Sequence, residues 1–316
     1  MKPFAFVFPG QGSQSVGMLD AWGDHPVVTQ TLAEASDAMG ENIAKLIHEG
    51  PKEALALTTN TQPVMLVAAV AAYRVWLAEG GSLPRVVAGH SLGEYSALVA
   101  SGVLTLAQAA PLVRFRAQAM QEAVPVGTGA MAAILGLDVA KVIEGCFQAQ
   151  SSFGNGSAEV VEAVNFNDPG QTVIAGSKAA VEKACEVLKA HGAKRALPLP
   201  VSAPFHSSLM KPAAERLKEK LAATNFALPQ IPVVNNIDVQ VENDADRIRD
   251  ALYRQAFGPV RWVECVAAIK AMGVSTLVEC GPGKVLAGMA KRIDAELVGM
   301  PLLDPVSLAE VKTALA

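Results

Sequence analysis

No apolar run in this sequence approaches the roughly 18 residues that a membrane span needs, so no membrane partner is expected. Cysteine is scarce. Cys146, Cys185, Cys265 and Cys280 stand far apart and form no C-x-x-C pair, which argues against a metal site or a disulfide framework and suits a reducing cytoplasm. Charge of one sign is nowhere concentrated: 26 Lys and Arg stand against 30 Asp and Glu, for a net charge of -4. A nucleic-acid partner would call for a basic stripe, and none is present. The apolar N-terminal segment Met1 to Phe8, closed by Pro9-Gly10, is too short for a signal-peptide core and lacks a small-residue cleavage site. It reads as a first buried strand.

What is present is a chain of 316 residues, 51% apolar, with a mean hydropathy of +0.30 that comes largely from alanine in helix-like segments. That length suits one large domain, or one large and one small.

The most informative stretch is Gly89-His90-Ser91-Leu92-Gly93, between the apolar run Arg85 to Ala88 and the helix-forming run Glu94 to Ala100. Strand, sharp turn and helix with a serine at the apex is the context of a nucleophile elbow. The small residues two before and two after the serine let the backbone turn tightly and expose Oγ. The turn also sets Ser91 at a helix N-terminus, where free N–H groups favour an anionic oxygen.

Around the elbow the pattern alternates. A helix is expected over Thr61 to Glu79, stopped by Gly80-Gly81, and another over Thr105 to Ala123, with Pro111 removing a hydrogen bond and kinking or delaying it. Between Gly127 and Pro200 short units follow in the order βαββαβ: Ala130 to Leu137, Asp138 to Gln150, Glu159 to Phe166, Gln171 to Ala175, Ser177 to His191 and Lys194 to Leu199. Asn167-Asp168-Pro169-Gly170 has the composition of a turn. This order is the ferredoxin-like split unit. The alternation then resumes with a helix over Ser207 to Ala223, a strand over Ile231 to Asn235, helices from Ala245 to Met272, a strand over Ser275 to Glu279 and a helix over Lys284 to Ile293. The fold class is therefore α/β: an α/β-hydrolase-like core with a mostly parallel sheet, residues 1–126 and 201–316, carrying an inserted small ferredoxin-like subdomain, residues 127–200.

A serine hydroxyl needs a base to take its proton, most often a histidine. Among five candidates, His90 adjoins Ser91 and its side chain leaves the backbone in another direction. His25 and His48 flank helices, and His191 precedes Gly192 as a helix C-terminal residue. His206 remains, on the loop Val201 to Phe205 that returns from the inserted unit; an ordinary helix N-terminal histidine is the alternative. Arg116 is the second unusual residue, because its helical neighbours Ala109, Leu112, Val113, Ala119, Met120 and Ala123 are all apolar. A buried guanidinium must meet an anion, either a substrate carboxylate or a structural Asp or Glu, and both readings stay open. Gly10-Gln11-Gly12-Ser13-Gln14 lacks a P-loop lysine but offers a backbone N–H for an oxyanion site. Gly281-Pro282-Gly283-Lys284 reads as a strand-to-helix turn.

Gly10 to Gln14, Gly89 to Glu94, the arginine of Val113-Arg114-Phe115-Arg116 and Phe205-His206-Ser207, in that order, resemble the malonyl-CoA:acyl carrier protein transacylases, discrete enzymes of bacterial fatty-acid synthesis. The likeness extends to Asn165-Phe166-Asn167, to Gln255 through Trp262 and to Glu279 through Gly283. The resemblance implies Ser91 as nucleophile, His206 as base and Gln255 as the residue that orients the histidine through a carbonyl. It implies Arg116 as anchor of the malonyl carboxylate, the N–H groups of Gln11 and Leu92 as oxyanion donors, and substrate-binding roles for Phe205 and Asn165. Leu92 and Phe205 are similar to the malonyl-selecting versions among polyketide acyltransferases. The implied partners are malonyl-CoA and holo acyl carrier protein, whose phosphopantetheine thiol receives the acyl group. No metal or tightly bound cofactor is implied, and a cytoplasmic monomer is expected. The carrier is expected to be acidic, with Lys194, Arg195, Lys211, Lys218, Lys291 and Arg292 as candidate contacts. A serine esterase or thioesterase, a freestanding polyketide acyltransferase and a catalytically silent carrier-binding module are the alternatives.

Overall fold

The computed structural model describes residues 2–154, 156–201 and 203–316; Met1, Asn155 and Ser202, the last within the expected loop Val201 to Phe205, lie outside the described residues. The strands are β1 (Phe4–Phe8), β2 (Val86–Gly89), β3 (Gly129–Leu135), β4 (Val161–Asp168), β5 (Gln171–Ser177), β6 (Arg195–Pro198), β7 (Val233–Val234), β8 (Thr276–Cys280) and β9 (Val298–Leu302).

Strand β1 alternates phenylalanine with smaller residues, and every one of its positions is buried, as a central strand covered on both faces requires. Phe4, Phe6 and Phe8 face the helix Thr58–Ala78, where Phe6 meets Tyr73 and Trp76 edge-on with ring centroids 5.7 and 5.6 Å away. Ala5 and Val7 face the opposite layer, with Trp262, Val266 and Leu286. Each fully buried phenylalanine contributes about 1.5–3 kcal/mol, so this row anchors the sheet. The sheet order is β7-β2-β1-β8-β9, all neighbours parallel, with Phe8 opposite Gly89 at the end that carries the elbow.

The second sheet is antiparallel, ordered β4-β5-β3-β6, which is the ferredoxin-like arrangement. Along β3 the alternation sorts Ala132 and Ile134 under the helices Val139–Ser151 and Lys178–Ala190, and turns Met131 and Ala133 toward the main core. Register shifts at Ala163/Asn165 and Phe166/Asp168 break the alternation of β4. The strand is thereby free to pair with Val260 of the large sheet's side: Phe166 N–H donates to Val260 O at 2.9 Å, and Val260 N–H to Val164 O at 2.8 Å.

Several expectations need correction. The helix Thr58–Ala78 is long and apolar enough to cross a membrane by length and composition, but 83% of its apolar window is buried inside the protein. Thr58, Thr61 and Gln62 interrupt the run in the sequence while packing in the core. Pro111 neither stops nor delays the helix Leu106–Glu122, whose start is pinned by a capping box between Thr105 and Gln108. Asn167 and Asp168 end β4 instead of forming the turn, which is left to Pro169-Gly170. The helix expected from Ser207 begins as a 3-10 turn and becomes α-helical at Lys211, and the strand expected over Ile231 to Asn235 shortens to Val233–Val234. Strand β9 and the helices Pro26–Met39 and Pro305–Leu315 add to the expected order.

Candidate active site

The elbow is possible only with its two glycines. A Cβ on Gly89 would stand 1.8 Å from the carbonyl carbon of Gly93, and one on Gly93 would stand 2.1 Å from Phe8 O. Between them Ser91 takes φ +54°, a left-handed conformation that costs a non-glycine residue on the order of 1–3 kcal/mol and persists where the surroundings fix it. Asn236 supplies the fixing. Its Oδ1 accepts from Ser91 N–H at 2.7 Å, its Nδ2 donates to Gly89 O at 2.8 Å, and its own N–H donates to Glu94 Oε2 at 2.9 Å. Asn236→Ala removes both side-chain bonds and is expected to lower stability by about 1–3 kcal/mol, read in urea melts. An unchanged midpoint would show that the elbow holds itself.

His206, also at positive φ (+66°), faces the serine: Ser91 Oγ and His206 Nε2 are 2.7 Å apart. The tautomer follows from the other nitrogen. Nδ1 lies 2.8 Å from the backbone O of Gln255, and a carbonyl can only accept, so Nδ1 carries the hydrogen and the Nε2 lone pair points at the hydroxyl. Burial, then the nearby Arg116 charge, push the imidazole down to about 3. His206 is thus neutral, and able to act as a base, far below the usual histidine range. The sign has two consequences. Stability linked to His206 is complete above pH 6.5 and is lost as pH falls toward 3. Acylation of Ser91 is expected to show no acid limb near pH 6.5, checked by the kcat/KM profile for a neutral thioester between pH 5 and 8. A limb at 6.5 would mean that the ring is hydrated.

Arg116 is 1% exposed and lies among neutral oxygens. Nη1 donates to Gln62 Oε1 at 2.7 Å; Nη2 donates to Gln255 Oε1 at 3.0 Å and to Ser91 Oγ at 3.3 Å. The Tyr95 ring lies 5.4 Å from the guanidinium carbon, and Nε has no partner among the described residues. Among those residues no Asp or Glu forms an ion pair with it. Of the two fates left open by the sequence, the structural ion pair is therefore the one not observed. The nearest buried acid, Glu94, is held by Gln255 Nε2 at 3.0 Å, and burial pushes its carboxyl up to about 7 against the pull of Gln255, Asn236 and Arg116.

These groups open on a cavity of about 140 Å³ lined by Gln11, His90, Arg116, Asn165, Phe205 and His206, among others. At about 30 Å³ per water it has room for a short acyl group. The N–H groups of Gln11 and Leu92 donate to no other described residue. Asn165 Oδ1 has no partner among the described residues, and Phe205 is buried against the cavity. His90 turns away from Ser91 to Asn167 Oδ1, at 2.8 Å, and burial lowers its pKa. Gly281 to Lys284 joins β8 to the helix Val285–Ile293, a turn as expected. Of the basic candidates, Arg292 is engaged, its Nε 2.8 Å from Asp168 Oδ2. Three site residues were missed: Gln62, Glu94 and Asn236. Gln62 carried the same signal as Arg116, a polar side chain whose helical neighbours Met65 and Leu66 are apolar.

A hydroxyl with its base, facing a cation that forms no ion pair among the described residues, is the arrangement of a serine acyltransferase taking an acidic acyl group. The family described as acyl transferase domain matches residues 5–297. Malonyl CoA-acyl carrier protein transacylase of Escherichia coli strain K12 is 54% identical over 310 residues, covering 98% of each chain. The crystal structure of acyl-carrier-protein S-malonyltransferase from Burkholderia pseudomallei 1710b superposes with a TM-score of 0.95 at 64% identity, covering 99% of this chain and 100% of that one. A type II PKS acyl-carrier protein in complex with its malonyl-transacylase matches at TM-score 0.94 and 51% identity over 99% of each chain. The chain belongs to the acyl transferase family, among the malonyl CoA-acyl carrier protein transacylases.

Proposed function

We propose that this protein moves a malonyl group from malonyl-CoA to the phosphopantetheine thiol of acyl carrier protein through a malonyl-Ser91 ester, supplying fatty-acid synthesis in the cytoplasm without a resident cofactor. The observation that carries the reading is Arg116 Nη2, 3.3 Å from the nucleophile and without an acidic partner among the described residues. Ser91 Oγ attacks the thioester carbonyl while His206 Nε2 takes the hydroxyl proton. The N–H groups of Gln11 and Leu92 receive the oxyanion. Collapse breaks the carbon–sulfur bond, and the CoA thiolate takes the proton from the imidazolium. The carrier thiol then gives its proton to His206, its sulfur attacks the ester, and Ser91 Oγ leaves with that proton. Arg116 grips the free carboxylate throughout, and Asn165 and Phe205 line the path. Residues 127–200 act as a separate small subdomain that closes this side of the cavity over residues 1–126 and 201–316.

Intact mass after brief exposure to malonyl-CoA tests the intermediate. The expected result is a single malonyl adduct, absent in Ser91→Ala and discharged by holo acyl carrier protein. Free malonate released at full rate without the carrier would identify a hydrolase. Supply of a polyketide carrier, as in the structural relative, uses the same chemistry; comparing discharge by fatty-acid and polyketide carrier proteins separates the two.

A further inference from the structure

Arg116 is held by the side-chain oxygens of two glutamines, Gln62 on Nη1 and Gln255 on Nη2. Both oxygens are assigned by their partners, since a guanidinium only donates. Gln62 is fully buried in the helix Thr58–Ala78, with its Nε2 3.9 Å from Met120 Sδ, and it lines the cavity beside Ser91. A glutamate fits the same space. It would make a buried ion pair with Arg116, a partner commonly found for a buried arginine.

We infer that Gln62 is a specificity-determining residue: it fixes the guanidinium with a neutral acceptor, so that the positive charge stays available to the carboxylate of the incoming acyl group. This rests on the reading of Arg116 as the anchor of that carboxylate. A neutral oxygen supplies geometry without cancelling charge. Gln255 does the same on the second nitrogen, but it also orients His206 through its backbone, so its replacement disturbs the base as well. Among the described residues Gln62 bonds to neither Ser91 nor His206, which makes it the position where charge at the anchor can be changed alone.

The test is the ratio of malonyl to acetyl transfer, as kcat/KM from the two CoA thioesters to holo acyl carrier protein, in wild type, Gln62→Glu, Gln62→Met and Arg116→Ala. Gln62→Glu neutralises the cation and repels the acyl carboxylate, and the ratio is expected to fall about 100-fold, within the range measured for buried charge pairs. Gln62→Met keeps neutrality and leaves Gln255 holding Nη2, so the ratio is expected to stay within about fivefold of wild type, since the charge is still uncompensated. A ratio unchanged in Gln62→Glu but collapsed in Arg116→Ala overturns the role of Gln62 and leaves that of Arg116 standing. A ratio unchanged in both overturns the anchor itself. If Gln62→Glu does not fold, Gln62→Met decides: retention of the ratio supports neutrality as the requirement, and a 100-fold loss shows that the hydrogen bond is required instead.

Discussion

His206→Ala is expected to slow acylation of Ser91 by malonyl-CoA on the order of 10⁴-fold or more, the scale seen when a hydrolase triad loses its base. Among the described residues the geometry leaves the serine no second base, because His90 is bonded to Asn167 and Glu94 is tied to Gln255 and Asn236. Among the described residues the only other group within hydrogen-bonding distance of Oγ is the donor Arg116 Nη2, which can stabilise an alkoxide but cannot accept its proton. The partner of Nδ1 is a backbone carbonyl rather than a carboxylate, so the imidazolium formed in the reaction gains orientation and little charge compensation. Single-turnover mass measurements of the adduct read the loss directly. In the alanine variant the residual rate should rise with pH as hydroxide takes over the proton. A loss below about 100-fold, with no new pH dependence, would show that another group deprotonates Ser91.

Period and punctuation made most of this fold legible. Phe4 to Phe8 read as a buried strand because every residue is apolar, and the βαββαβ order emerged because its turns are marked by Gly and Pro. Strand β9 is hidden in the sequence because Gly299 and Pro301 look like breakers. Gly299 is in fact demanded by a close approach, since a Cβ there would stand 2.0 Å from Ala287 O, and proline is tolerated on an edge strand. The helix Pro305–Leu315 is marked in the sequence by Asp304 and Pro305, a cap and a first-turn proline. Within the site, Ser91 and the apolar setting of Arg116 follow from local pattern. The separation of His206 from His90 does not, because which imidazole reaches Oγ depends on a loop 115 residues away in the chain. Asn236 and Glu94 act by bonds to the elbow backbone and to Gln255, and no local period marks such contacts.

Arg116→Ala is expected to narrow the malonyl-to-acetyl ratio by roughly 30-fold or more, the consequence of leaving a buried carboxylate without its partner. Arg116→Lys is not expected to restore it, because Gln62 and Gln255 hold two different nitrogens of the fork and an ammonium cannot satisfy both while pairing with the substrate. The same substitution carries an independent signature. Burial is the larger cause of the low His206 pKa, and the Arg116 charge is the next. Removing that charge makes the imidazolium easier to form, so the pKa of His206 rises toward the ordinary value while burial keeps it below. Acetyl transfer by Arg116→Ala should therefore acquire an acid limb at higher pH than wild type, seen in the kcat/KM profile. If the ratio narrows and the limb stays put, Arg116 reads the carboxylate without acting on the base. If neither moves, the guanidinium does not face the reacting acyl group at all.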